Sequence, residues 1–106
     1  MGSYLVVLVT CPPRRAKGLA TALVRHRVAA CVNILPTVQS VFWWGGKPDR
    51  AREALLVIKT SAGRFEALKR IVLSLHPYQL PEVIALPIQR AHRPYLAWIE
   101  SSLRST

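Results

Sequence analysis

No segment restricts the fold more than Cys31 to Thr60, CVNILPTVQSVFWWGGKPDRAREALLVIKT. A run rich in valine and aromatics leads to Gly45-Gly46, which marks a hairpin tip, and Glu53 to Thr60 returns as a buried strand. Pro36 has no N–H to give a ladder, so the first arm must lie at a sheet edge or bulge there. From Cys31 to Trp43 that arm reaches ~40 Å at ~3.3 Å per residue. A domain-sized sheet cannot cover so long a strand, and only the return arm pairs with its distal half. The arm ends in Phe42-Trp43-Trp44, rings that bury ~150–250 Å² each when packed. An overhanging hairpin with an aromatic tip predicts association through strand edges.

The remaining elements flank this hairpin. Tyr4 to Thr10 is a short apolar run of the kind a buried strand shows, ended by Cys11-Pro12-Pro13. Ala16, Leu19, Ala20, Leu23 and Val24 recur at helical spacing behind prolines pre-set for a first turn, which predicts a helix to about Arg27. Phe65, Leu68, Ile71, Val72 and Leu75 give a second helix, with Glu66 where the dipole favours an acid and Pro77 as its stop. Val83 to Gln89 reads as a fourth strand, and Pro94-Tyr95-Leu96 with Ile99 and Leu103 begins a terminal helix. The order is βαββαβ plus a helix: an α+β, ferredoxin-like sheet with two helices on one face. The 106 residues form a single domain, 1–106, without repeats or linkers.

Composition excludes several classes. About half the residues (51%) are apolar, too many for a disordered chain, and no apolar run approaches the ~20 residues of a spanning helix. The start, MGSYLVVLVTC, lacks the charge and apolar length of a secretory or lipoprotein signal, and Val6 stands where a myristoylation motif needs Ser or Thr. A soluble, cytoplasmic protein with no membrane partner is expected. The two cysteines, Cys11 and Cys31, are expected to be thiols, because they fall at opposite ends of parallel strands. Eleven arginines and four lysines against five acids give net charge +10. That favours polyanions, but no block reaches the length of a basic arm. An RRM shares the topology and needs stacking aromatics on its central strands; EALLVIKT has none, so no specific nucleic-acid partner is expected. Nor is there a Gly-x-Ser-x-Gly elbow, a phosphate-binding glycine loop or a paired-carboxylate motif, so the chain is not read as an enzyme.

One stretch draws attention, Ser74 to Glu82, SLHPYQLPE. Two prolines hold a turn that presents His76, Tyr78 and Glu82. His76 suits the last turn of a helix, where an imidazole serves terminal carbonyls. Of the acids, Asp49 suits the hairpin turn, Glu53 a strand start, Glu66 a helix start and Glu100 an exposed helix face. Glu82 stands at a proline-fixed strand entrance, with an ion pair to Lys59 or an arginine as its structural role. Tyr78 and Trp98 line a cleft between subunits or fill its hydrophobic floor, and Lys59 is the third candidate for that cleft.

AACVNILP, FWWGGK, LLVIKT, HPYQLPEVIALPI and YLAWI together resemble the CutA family of divalent-cation tolerance proteins, over nearly the whole chain. The resemblance implies a tight homotrimer with hairpins crossing neighbouring subunits, tolerance to copper and other divalent metal ions, architectural similarity to the trimeric PII signalling proteins, and no established reaction. PII-like small-molecule binding is the alternative reading. The copper ligands proposed for bacterial relatives fall here on Val9, Leu75 and His76, so the resemblance carries over only His76. Cys11 is added as a nearby soft thiolate and Glu82 as a carboxylate. No cofactor is required; any copper is expected at micromolar affinity at best.

Overall fold

The computed structural model describes residues 3–104. Met1 and Gly2, where the myristoylation reading begins, lie outside them. In chain order the elements are β1 (Tyr4–Cys11), α1 (Pro13–Arg25), β2 (Cys31–Trp44), β3 (Lys47–Ser61), α2 (Phe65–Leu75), β4 (Ile84–Pro87) and α3 (Arg93–Ser102), with a short 3-10 turn, Ala62–Arg64, leading into α2. The strands form one sheet in the order β2-β3-β1-β4, all neighbours antiparallel. This is the expected ferredoxin-like arrangement with an added terminal helix.

Alternation divides the sheet into two faces. Val7, Val9, Cys11, Leu56 and Ile58 point to the side covered by α1 and α2 and are fully buried with Leu23, Leu68 and Val72. The residues between them, Val6, Leu8, Leu55 and Val57, point to the opposite face, where Leu35, Ile84 and Leu86 are exposed. α3 covers only one end of that face, packing Ile99 and Leu103 on Tyr4. The rest of this second apolar face has no cover within the chain.

The hairpin overhang is real. β1 pairs with β3 only over Ala54–Ser61, so residues 47–53 pair with β2 alone. The register slips between Leu35 and Val38, a bulge at Pro36 on an edge strand, as its missing donor requires. Gly45 and Gly46 have φ of +62° and +80°, the positive pair that a tight hairpin turn consistent with strand twist demands. The described molecule is accordingly elongated, 44 × 26 × 22 Å. Trp43 and Trp44 at the tip are 71% and 51% exposed.

Helix α1 ends where Arg27 adopts φ +59°. Val28 N–H donates to Leu23 O and Arg27 N–H to Val24 O, the paired bonds of a Schellman ending that usually calls for glycine. Arginine serves here because its guanidinium donates to Ser102 O, and Arg64 likewise donates to Leu103 O, so two cations cap the carbonyl end of α3. The fourth strand is shorter than the expected Val83 to Gln89. Val83 packs into the core instead, Pro87 cannot donate, and Ile88 gives one last bond to Tyr4 O before the chain turns toward α3. Cys11 and Cys31 are both free thiols. Cys31 stands level with Val6, both opposite Lys59, and Cys11 is five residues further along, roughly 16 Å in the strand direction at ~3.3 Å per residue, with β3 between the two strands.

Candidate functional site

Where the hairpin leaves the sheet, a cavity of about 770 Å³ opens between its arms and the turn after α2. Its wall includes Thr10 at the end of β1, Glu53 and Asp49 on β3, Phe42 and Trp44 on β2, and Tyr78, Leu80 and Glu82 on the proline-bracketed turn. Three of the chain's five acids, Asp49, Glu53 and Glu82, line it. In a chain of net charge +10 this is its one concentration of carboxylates: Glu66 pairs with Lys69, and Glu100 accepts from Tyr4 Oη at 3.0 Å.

The turn is fixed by a short relay. His76 caps α2, is 9% exposed, and has both ring nitrogens engaged. Tyr78 N–H donates to Nδ1 at 3.1 Å, so the ring proton sits on Nε2, which donates to Thr10 O at 2.7 Å. His76 therefore serves β1 rather than the last carbonyls of its own helix; Arg15 and Ser74 take Leu75 O and Ile71 O. Tyr78 Oη in turn donates to Glu53 Oε2 at 2.8 Å, and Thr10 Oγ1 donates to Glu82 Oε1 at 3.3 Å.

Burial, reinforced by the hydrogen bond and charge of Glu53, pushes the Tyr78 hydroxyl from its usual 10.0 up to about 12. The fold thus favours neutral Tyr78. Its contribution is complete below pH 10 and is lost as pH rises toward about 12, because the unfolded chain ionises first. Tyr78→Phe is expected to cost about 1–2 kcal/mol at neutral pH by stranding the Glu53 carboxylate. It should also make the alkaline loss of stability shallower, as read from urea melts across that range. An unchanged alkaline slope would contradict the Tyr78–Glu53 coupling.

Of the residues singled out in the sequence, Tyr78 and Glu82 line the cavity. His76 stands behind it as a structural clasp. Cys11 is wholly buried, and burial, then the Glu53 charge, raises its thiol pKa and holds it protonated. Among the described residues no three His, Cys, Asp or Glu side chains are grouped to hold a metal ion. As arranged in one chain, Cys11, His76 and Glu82 do not fit a copper site. The ion pair expected between Glu82 and Lys59 or an arginine is absent: the one salt bridge among the described residues is Lys69–Glu66 at 3.1 Å. Lys59 donates to Asn33 Oδ1 instead. It lies opposite Val6, whereas Glu82 meets Thr10, roughly 13 Å along the strand at ~3.3 Å per residue. Trp98 is on α3, its ring stacked on Tyr95 with centroids 5.4 Å apart. Lys59 and Trp98 therefore sit toward the α3 end of the sheet, Tyr78 and Glu82 at the hairpin end. Thr10, Asp49 and Glu53 were not singled out; the available signal was a glutamate beside an otherwise apolar strand in an acid-poor chain.

A βαββαβ sheet with a projecting hairpin and a carboxylate-walled cavity at its root defines an α+β, ferredoxin-like protein of the long-hairpin type. The sequence profile described as "CutA1 divalent ion tolerance protein" matches residues 5–102. The chain belongs to the CutA family. It is 43% identical over 105 residues to "Protein CutA" of Mus musculus, covering 98% of this chain and 59% of that protein, so it spans well under two thirds of that relative's length. The CutA1 crystal structure from Oryza sativa superposes with a TM-score of 0.94 at 42% identity, covering 99% of this chain and 97% of that one. The structure titled "PII-like protein CutA from Nostoc sp. PCC 7120 in apo form" gives 0.89 at 29% identity, covering 94% and 97%. The family model is named for divalent ion tolerance, and the Nostoc structure is titled PII-like. No helix among the described residues is long and apolar enough to cross a membrane.

Proposed function

We propose that this chain works as a homotrimer in the response to divalent metal ions, in the cytoplasm and without a catalytic step, and that the cavity at the hairpin root is where its ligand is read. The observation that carries this reading is the match of residues 5–102 to a family model named for divalent ion tolerance, and the cavity is chosen because three of the chain's five acids, Asp49, Glu53 and Glu82, line it. Carboxylate and hydroxyl oxygens are ligands for hard divalent cations, and because no three acidic side chains are grouped among the described residues of one chain, a full ligand set would draw on a neighbouring copy. The trimer is supported by the uncovered sheet face and the exposed tryptophans at the hairpin tip. Two free thiols suit a reducing compartment.

The size of the cavity favours a second reading. At about 770 Å³, with Phe42 and Trp44 in its wall, it has the dimensions of a small-molecule site, as PII-like signalling would need. Calorimetry with Mn²⁺ and Cu²⁺ separates the two. Ion binding predicts that Mn²⁺ binds, that Glu82→Gln weakens it about tenfold by removing one charged ligand, and that Cu²⁺ binds at micromolar affinity at best. Heat-free titrations with both ions would overturn the ion reading and leave the small-molecule one.

A further inference from the structure

Six of the fifteen basic residues lie on the two helices that cover one face of the sheet, where only one acid accompanies them. Helix α1 carries Arg14, Arg15, Lys17 and Arg25 and no acid. Helix α2 carries Lys69 and Arg70 and one acid, Glu66, which Lys69 neutralises at 3.1 Å. The other four carboxylates lie on the hairpin cavity and α3, interspersed with the remaining nine cations. The helical layer is therefore a positive surface whose cations, Lys69 apart, have no salt-bridge partner among the described residues.

The crest of α1 adds a second observation. Arg14, Gly18, Thr21 and Arg25 follow the i, i+4, i+7, i+11 spacing of one helix face, opposite the buried Ala16, Leu19, Ala20 and Leu23. Two arginines thus stand roughly 16 Å apart at ~1.5 Å per residue, with a low saddle between them. A glycine inside a helix is unfavourable, yet a side-chain carbon at Gly18 would meet nothing within 4 Å, so no neighbour in the chain requires its absence. A saddle of this kind admits the close approach of something outside.

We propose that the α1–α2 layer binds the phosphodiester backbone of duplex nucleic acid, without reading sequence, through Arg14, Lys17, Arg25 and Arg70. Charge complementarity fits a dense phosphate lattice, and guanidinium groups match phosphate oxygens in pairs. The exposed tryptophans lie elsewhere, Trp43 and Trp44 at the hairpin tip and Trp98 on α3, so this layer has neither a platform for unstacked bases nor the aromatic anchors of a membrane face. The surface lies across the sheet from the uncovered apolar face, so it stays available whether or not copies assemble through that face.

The test compares two charge-matched triple variants on a random-sequence DNA duplex by fluorescence anisotropy across a salt series. Arg14→Gln/Arg25→Gln/Arg70→Gln should lower affinity at least about tenfold and flatten the log–log salt slope by about 2.7, at ~0.9 for each phosphate no longer neutralised. Arg50→Gln/Arg52→Gln/Arg90→Gln removes the same charge from exposed positions outside the layer and should change affinity less than about threefold. Gly18→Gln should weaken binding while raising thermal stability. Equal losses in the two triples would reduce the effect to net charge and overturn the assignment. So would tighter, Arg14- and Arg25-dependent binding to phosphatidylserine vesicles than to duplex.

Discussion

Val57→Asp should leave a folded chain that no longer assembles. Leu56 and Ile58 on either side are fully buried beneath the helices, so Val57 points to the opposite face, where it shares an uncovered surface with Leu8, Leu55, Ile84 and Leu86. In a trimer closed through that face, each copy would bring an unpaired carboxylate into an apolar contact at a cost of several kcal/mol. With ~1.4 kcal/mol per tenfold, self-affinity should fall on the order of a thousandfold or more. In the single chain the same aspartate stays at the surface, so far-ultraviolet circular dichroism should be preserved. Sedimentation velocity reads the outcome, and a variant that remains fully assembled would mean that this face is not the interface.

The second large effect is expected at His76. The sequence offers it as an imidazole ligand, but both nitrogens are committed, one accepting from Tyr78 N–H and the other donating to Thr10 O. His76→Ala strands that carbonyl and that amide where the ring had kept them from water, at about 1–3 kcal/mol for each partner left unsatisfied. It also frees the turn that aims Tyr78 and Glu82. The expected result is a clear drop in urea midpoint and a weaker ion response through loss of the turn, both partly restored by His76→Gln, which keeps an acceptor and a donor. A His76→Ala protein as stable as the parent, with metal affinity abolished, would identify His76 as a direct ligand.

The fold was largely legible because its constraints are local. Pro36 required a bulge or edge, Gly45-Gly46 a tight turn, Pro12-Pro13 a helix start, and a run of about fourteen β-forming residues could not be housed in a small sheet. The site was only half legible. Tyr78 and Glu82 stood out because prolines fix their turn. Glu53 did not, because its role depends on the register that sets β3 against the loop after α2, a pairing that local spacing does not carry. The Lys59–Glu82 pairing failed for the same reason: both residues belong near β1, but at Val6 and Thr10 respectively. The shared basic surface of α1 and α2 was equally hidden, since the two helices are some fifty positions apart in the chain.

The projecting hairpin and the uncovered sheet face should be surfaces that meet copies of the same chain. Light scattering coupled to gel filtration at micromolar concentration tests this most directly. The expected result is a particle of three times the 11.9 kDa chain mass that persists on dilution; a monodisperse particle of one chain mass would contradict it.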